Sequence, residues 1–407
     1  MDLRPRGHGK VVRLMEKGVT VPNPSSLDIG DEVDVARISG EGVVLYPGCR
    51  IYGAKTVISR GVELGAEAPV TIDDCRLGPK VELKGGYFKQ SVFLEKANMG
   101  LGAQVREGCL LEEEASGAHC VGLKQTILFP FVTLGSLVNF CDCLMAGGTS
   151  RKDHSEVGSS YIHFNYTPDG DKTTPSLFGD VPRGVMLDRP PIFLGGQGGA
   201  VGPVRVGFGT VVAAGSILRH DILADGRLVA AAAPPRLERE HRPRSYRNLE
   251  RIVRNNVIYL AGLVALEEWY RNVRQPFFAG QHLGELVYAG ALEILGMAKE
   301  ERAKRLLAMA EKVPAAEPAG KEFRKRAAEI CALFAPGAAV PGAGPEGVEF
   351  VTALRAMAAG GEYIPTIQGL TPEVSRKGVQ WLQAIADGLC RQAAALVPAI
   401  DFSDDRL

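Results

Sequence analysis

Apolar residues recur every six positions through much of the first half of this chain, and that period constrains the fold more than any other feature. Leu45, Ile51 and Val57 form one series, and Ile58, Leu64 and Val70 form the next. Ala103, Cys109, Ala115, Val121 and Ile127 continue it. Val206, Val212 and Leu218 close it, beside Val211, Ile217 and Leu223. A period of six matches neither the 3.6 of a helix nor the simple alternation of a strand. It fits a solenoid in which each hexapeptide gives one short strand and one turn. Three hexapeptides make a triangular coil, and stacked coils bury a continuous column of Val, Ile, Leu and Ala. Glycine falls in phase at Ile29-Gly30, Leu64-Gly65, Leu77-Gly78, Val206-Gly207 and Ala214-Gly215, where a tight corner needs a permissive backbone. The expected fold is a β-solenoid, a parallel beta-helix of hexapeptide repeats.

The period does not run the length of the chain. Residues 1–26 read as a polar lead-in, with Pro22 and Pro24 just ahead of the first coil. The solenoid is expected over 27–229, with an insertion near Asp180–Pro191 where Pro182, Pro190 and Pro191 break the rhythm. Ala230-Ala-Ala-Ala-Pro-Pro235 ends it, and 230–244 reads as a linker. From Ser245 the spacing turns helical. Leu249, Ile252, Val253, Asn256, Leu260, Leu263, Leu266, Tyr270 and Val273 describe a long amphipathic helix that Pro276 ends. Further helices are expected over 282–298, 300–312, 320–334, 347–359 and 372–397, with a loop at Pro336–Pro345. The second half, 245–407, is therefore an all-α C-terminal domain. Packed on the last coils, it would cap the open end of the stack, which otherwise exposes unpaired backbone.

The 407 residues carry 47 basic and 47 acidic side chains. A net charge of zero gives no attraction to nucleic acid or to an acidic membrane surface. No stretch reaches the roughly 18 apolar residues of a membrane span, and the basic start lacks an apolar core of signal-peptide length. The eight cysteines include no Cys-x2-Cys pair, so reduced thiols and a cytoplasmic location are expected. Cys141-x-Cys143 would put two thiols on one face of a strand, but with no second close pair no metal is expected.

Polar residues crowd between Asp153 and Lys172. Thr167–Lys172 reads as a loop thrown out from a corner, with Pro168-Asp169-Gly170 as its turn. Rigid scaffolds place binding groups on such loops. His154 is the natural general base, because its ordinary pKa near 6.5 lets it take a proton at neutral pH. Asp153 or Glu156 would fix its tautomer; an exposed histidine with no role is the plain alternative. Gly195-Gly-Gln-Gly-Gly199 lacks the ending of a phosphate loop, so close backbone approach at a corner explains it better. Arg236, Arg239, Arg242, Arg244, Arg247, Arg251 and Arg254 follow the last coil, balanced in part by Glu238, Glu240 and Glu250.

Asn165-Tyr166-x-x-Asp-Gly170-x-Lys172, followed by Phe178-Gly179-Asp180, resembles a stretch of the acetyltransferase half of bacterial glucosamine-1-phosphate acetyltransferase / N-acetylglucosamine-1-phosphate uridyltransferase. The resemblance continues through Ile192–Gly195 and Val204–Asp221 and reaches back through Gly135–Phe140 to His154. It leaves the N-terminus and the helical half unmatched. It implies a left-handed parallel beta-helix, a homotrimer with its active site between subunits, and acetyl-CoA as co-substrate. The implied acceptor is an amino-sugar phosphate or a nucleotide-linked amino sugar, whose amine a histidine deprotonates. By that resemblance His154 is the base, Asn165 and Tyr166 contact acetyl-CoA, and Lys172, with Arg151, meets the substrate phosphate. Gly196 and Ala214 line the CoA groove, and the arginine run is either a clamp for CoA phosphates or, as the plainer and favoured reading, a solvated linker and helix face. These residue types suit the chemistry: a neutral amine attacks, and a phosphate wants a cation.

The chain also departs from that pattern. Cys141 stands where the family has a lysine, and Val157 where it has a tyrosine. Only 11 residues separate His154 from Asn165, which makes His163 a rival base. No Gly-rich nucleotide loop precedes the solenoid, so uridylyl transfer is not expected. Two functions follow. One is a CoA-dependent N-acyltransferase. The other is a non-catalytic trimeric scaffold or sugar-nucleotide-binding protein whose helical half recruits a partner.

Overall fold

Short parallel strands joined by left-handed corner residues build a solenoid of about 11 turns, followed by a region of helices. This computed structural model describes residues 5–232, 236–341, 344–357 and 361–402. The solenoid is a three-sided prism. Its first face is a ladder of 10 strands running from Val44–Leu45 to Leu228–Val229. In register along it, Leu45, Leu64, Leu83, Met99, Gly117, Leu134, Val157, Leu194 and Val212 stack inward. The second face starts at Asp28–Ile29 and continues through Arg50–Tyr52, Val70–Asp73 and Gly86–Lys89. The third starts at Val57–Ile58 and continues through Arg76–Leu77, Ser91–Phe93 and Cys109–Leu111. The six-residue period thus specifies one inward side chain per face and coil.

Two longer strands, Gly122–Leu128 and Asn139–Met145, bend from the second face to the third at Gln125 (φ 50) and Asp142 (φ 61). The bend separates Cys141 from Cys143, so the two buried thiols do not share a strand face as the spacing suggested.

The third face explains the helices. Pleat alternation turns Val92, Leu110, Ile127, Leu144 and Leu177 outward, yet all of them are buried. A strand that is apolar on both sides must be covered on both sides. Helix α1 (His8–Glu16) packs Val11 and Leu14 against the first coil, so the polar lead-in contains a helix that its composition did not announce. Helix α2 (Val181–Gly184) forms in the proline-rich insertion, with the Asp180 side chain accepting from the Arg183 N–H. Helix α3 (Leu249–Trp269) begins beside the last coils, where Arg251 and Asn255 donate to the Pro203 carbonyl at 2.6 and 3.4 Å. It runs back along the third face to Tyr270, whose hydroxyl bonds Glu112.

Pro276 does not end this helix. A π-turn over Tyr270–Arg274 leads into α4 (Gln275–Ala279), where Pro276 takes the second position and its missing N–H matters little. The expected helices at 282–298 and 300–312 are one, α5 (Gly284–Ala310), which lies on the third-face strands of the earlier coils. Gly290 lets α5 lie close over the Arg76 side chain: a Cβ there would stand 2.2 Å from Arg76 Cδ, so the arginine would have to shift. Then come α6 (Pro318–Ala332), α7 (Gly344–Met357), α8 (Tyr363–Gln368) and α9 (Pro372–Leu396). The helical half therefore lies lengthwise along one side of the prism and does not cap its end. The apolar outward row on the third face holds it there. Residues 233–235 of the alanine–proline break, 342–343 of the Pro336–Pro345 loop and 358–360, which include the end of the helix expected at 347–359, lie outside the described residues. Among the described residues no helix is long and apolar enough to cross a membrane.

Candidate functional site

Apart from His163, the site residues singled out in the sequence stand on three different corners of the prism. At the corner between the third and first faces, Gly148–Ser150 and Asp153–His154 form an antiparallel hairpin that projects from the coil. Arg151 is its anchor: Nη1 donates to the Glu114 and Phe131 carbonyls at 3.1 and 2.8 Å and to Thr133 Oγ1 at 2.8 Å. The His154 ring lies with Nδ1 3.0 Å from the Arg151 carbonyl. A carbonyl only accepts, so Nδ1 carries the proton and Nε2 keeps its lone pair. Glu156 is 3.8 Å from Nε2, beyond hydrogen-bond range. Beside the hairpin a cleft of about 680 Å³ opens between the 181–191 insertion and α8–α9, lined by Arg183, Arg189 and Arg376.

His163 is inside the prism. Its Nε2 sits 2.7 Å from Ser176 Oγ, and its ring packs edge-on against Phe140 and Phe178. Burial pushes its pKa down to about 4, because the charged ring has no water to solvate it.

The Asn165–Lys172 loop leaves the corner between the second and third faces and is tied down on the helices. Lys312 Nζ donates to the Gly170 carbonyl at 3.1 Å and Arg302 Nη1 to the Lys172 carbonyl at 3.2 Å. Asp169 Oδ1 accepts from the backbone of Ser245 and Tyr246 at 2.8 and 3.2 Å. The loop is thus held against the molecule and does not protrude as its turn chemistry suggested, although the Tyr166 and Lys172 side chains remain exposed. Arg239, Arg242, Arg247 and Arg251 meet this same corner around a cavity of about 290 Å³.

Gly196 and Ala214 occupy the corner between the first and second faces. Here one residue per coil stacks on the next, in the order Leu101, His119, Ser136, Ser159, Gly196, Ala214. The ladder is set by N–H donation from Cys120 to Leu101, Leu137 to His119, Ser160 to Ser136, Gln197 to Ser159 and Gly215 to Gly196, at 2.8–3.0 Å. Backbones approach so closely that a Cβ on Gly195 would lie 2.4 Å from Ala214 N, and one on Gly196 2.8 Å from the Ser159 carbonyl. The result is an open corner of small side chains. His119 and Ser136 were missed in the sequence. The coils between them and Gly196 differ in length, so no fixed period aligns them, and only the stacked backbone hydrogen bonds bring them onto this corner; Nδ1 of His119 lies 2.9 Å from Ser136 Oγ. Among the described residues no group of three or more His, Cys, Asp or Glu could hold a metal ion.

No protein-family model matches the chain. It is 28% identical over 214 residues to the bifunctional protein GlmU of Thermotoga maritima, covering 52% of this chain and 42% of that protein. The GlmU of Fervidobacterium nodosum is 28% identical over 220 residues, covering 54% of this chain and 43% of its own length. The chain spans less than half the length of these relatives. The structure of LpxA from Acinetobacter baumannii covers 73% of this chain and 96% of its own at 14% identity, but its TM-score of 0.20 gives that likeness no weight. The sequence matches and the solenoid fold fit the acetyltransferase half of GlmU.

Proposed function

We propose that this protein is an acyl-CoA-dependent acyltransferase of the hexapeptide-repeat type. The donor is acetyl-CoA, and the acceptor is an amino-sugar phosphate or a nucleotide-linked amino sugar. The observation that carries the reading is the open corner of Ser159, Gly196 and Ala214, where small residues leave backbone accessible along the prism axis. An extended pantetheine arm needs such a straight, shallow track. The GlmU matches support the same reaction class.

A homotrimer belongs to this reading. The last coils carry exposed apolar residues on both sides of that corner. Phe193, Val211 and Leu228 stand in register on the first face, and Ile162 and Phe164 on the second. With the third face taken by helices, these are the surfaces left for a second copy. A neighbouring chain would bring its His154 hairpin, or its Asn165, Tyr166 and Lys172, toward a groove that its own corners cannot reach. A non-catalytic, sugar-nucleotide-binding scaffold is favoured by one observation, the tie-down of the Asn165–Lys172 loop on the chain's own helices.

Calorimetric titration with acetyl-CoA and with free CoA tests the proposal. Saturable micromolar binding that Ala214→Glu weakens, by repulsion of the CoA phosphates, is the expected result. No binding at millimolar CoA overturns the enzyme reading and leaves the scaffold.

A further inference from the structure

We infer that the base of this reaction is His119, held in place by Ser136, on the same corner as Gly196 and Ala214. The inference rests on the acyl-CoA reading and names the group at the reacting end of that groove. The chain has seven histidines, at positions 8, 119, 154, 163, 220, 241 and 282. Only His119 belongs to the ladder that contains Gly196 and Ala214. His163 is closed in the core, and within one chain His154 stands on a different corner, so only the hairpin of a second copy could bring it to this groove.

The distances suit the donor. Successive coils lie about 4.8 Å apart, which puts His119 about 14 Å from Gly196 and about 19 Å from Ala214. That is the span of an extended pantetheine arm. With the nucleotide end of CoA beside Ala214, the thioester falls beside His119. The positions between them, Ser136, Ser159 and Gly196, carry no side chain large enough to block the arm.

The chemistry follows from the 2.9 Å contact between His119 Nδ1 and Ser136 Oγ. When the serine oxygen accepts the Nδ1 proton, Nε2 of this exposed ring keeps its lone pair. Nε2 takes a proton from the acceptor amine as the nitrogen attacks the thioester carbonyl carbon. The new C–N bond forms, the C–S bond breaks, and CoA leaves as thiolate, which receives the proton from the imidazolium. Ser136 is a positioning residue, since it acts through the ring.

Bromoacetyl-CoA places an electrophile where the acetyl methyl would lie. His119 Nε2 displaces its bromide and keeps the alkyl group. Cys120, an exposed thiol beside His119, is first removed as Cys120→Ser, and CoA binding to this protein is measured by calorimetry alongside. Peptide mass mapping should find the label on His119, with excess free CoA preventing it and His119→Gln abolishing it. Ser136→Ala should slow labelling about tenfold, the effect of one ordinary hydrogen bond, and Ser136→Thr should restore it. Binding of CoA with His119 unlabelled, or with His154 labelled instead, overturns the inference and leaves the acyl-CoA reading standing. No CoA binding defeats that reading, and the assignment of His119 falls with it.

Discussion

The Arg302 guanidinium lies 2.7 Å from the Asp142 carboxylate, and both side chains are almost wholly enclosed between α5 and the bent strand Asn139–Met145. This is an ion pair between the two halves of the molecule, at the residue where the chain turns from the second face to the third. Burial pushes the Asp142 carboxyl above the usual carboxylate range, with Arg302 opposing it. Breaking such a pair strands a buried charge, which costs about 3–5 kcal/mol, whereas replacing both partners costs much less. Arg302→Met should therefore lower the urea midpoint strongly, and Arg302→Met with Asp142→Asn should recover most of it. A double-variant loss equal to the sum of the Arg302→Met and Asp142→Asn losses would show that the pair is not coupled.

Removing the helices should be worse than removing one contact. A chain ending at Ala232 would expose Val92, Leu110, Ile127, Leu144 and Leu177 as one apolar stripe along the prism. Exposed patches of that kind drive association. The truncated protein should be insoluble or aggregated in size-exclusion chromatography. A soluble, monodisperse product would mean that the helices are dispensable to the fold.

The exposed row on the first face makes a separate prediction. Phe193→Glu and Val211→Glu place charges on surface that is already wet in the single chain, so thermal stability should move by no more than about 0.5 kcal/mol. In a trimer that buries this row, the same changes should release monomers in sedimentation velocity. Trimers that survive both substitutions would place the contact elsewhere.

His163 predicts a pH dependence. Its pKa is about 4 in the fold against an ordinary 6.5, so the unfolded chain binds the proton more readily. The stability it contributes is complete above pH 6.5 and is lost as pH falls toward 4, by about 3 kcal/mol in all. Urea midpoints at pH 7.5 and 4.5 measure the loss, and His163→Gln should flatten it. An unchanged slope in that variant would assign the acid sensitivity to other groups.

Much of the fold was legible because a solenoid writes its geometry into a fixed period. Met99 stacks on Gly117 and Leu194 on Val212 because each pair stands 18 residues apart, three hexapeptides, and no distant partner is needed to decide it. The reach of Pro276 was not legible, since a π-turn over Tyr270–Arg274 realigns the chain before the proline and removes its penalty. The candidate site was legible only in part. Gly196 and Ala214 announced a corner by their glycine chemistry, but which other residues share it depends on how many residues each coil spends. The hairpin at Gly148–His154 and the 181–191 insertion lengthen two coils, so distance along the sequence misjudged the height of every site residue around them.

By itself, then, the sequence determined the repeating coil, its inward column and the change to helices after the last turn, because those rest on local period and backbone permissiveness. Tertiary structure alone decided that the helices lie along the third face and not over the end, because the apolar outward row there must be covered. It also decided that His154, the Asn165–Lys172 loop and the His119–Ser136–Gly196–Ala214 ladder stand on three separate corners. Corner identity is a property of the stacked register, and only the stacked backbone hydrogen bonds fix it.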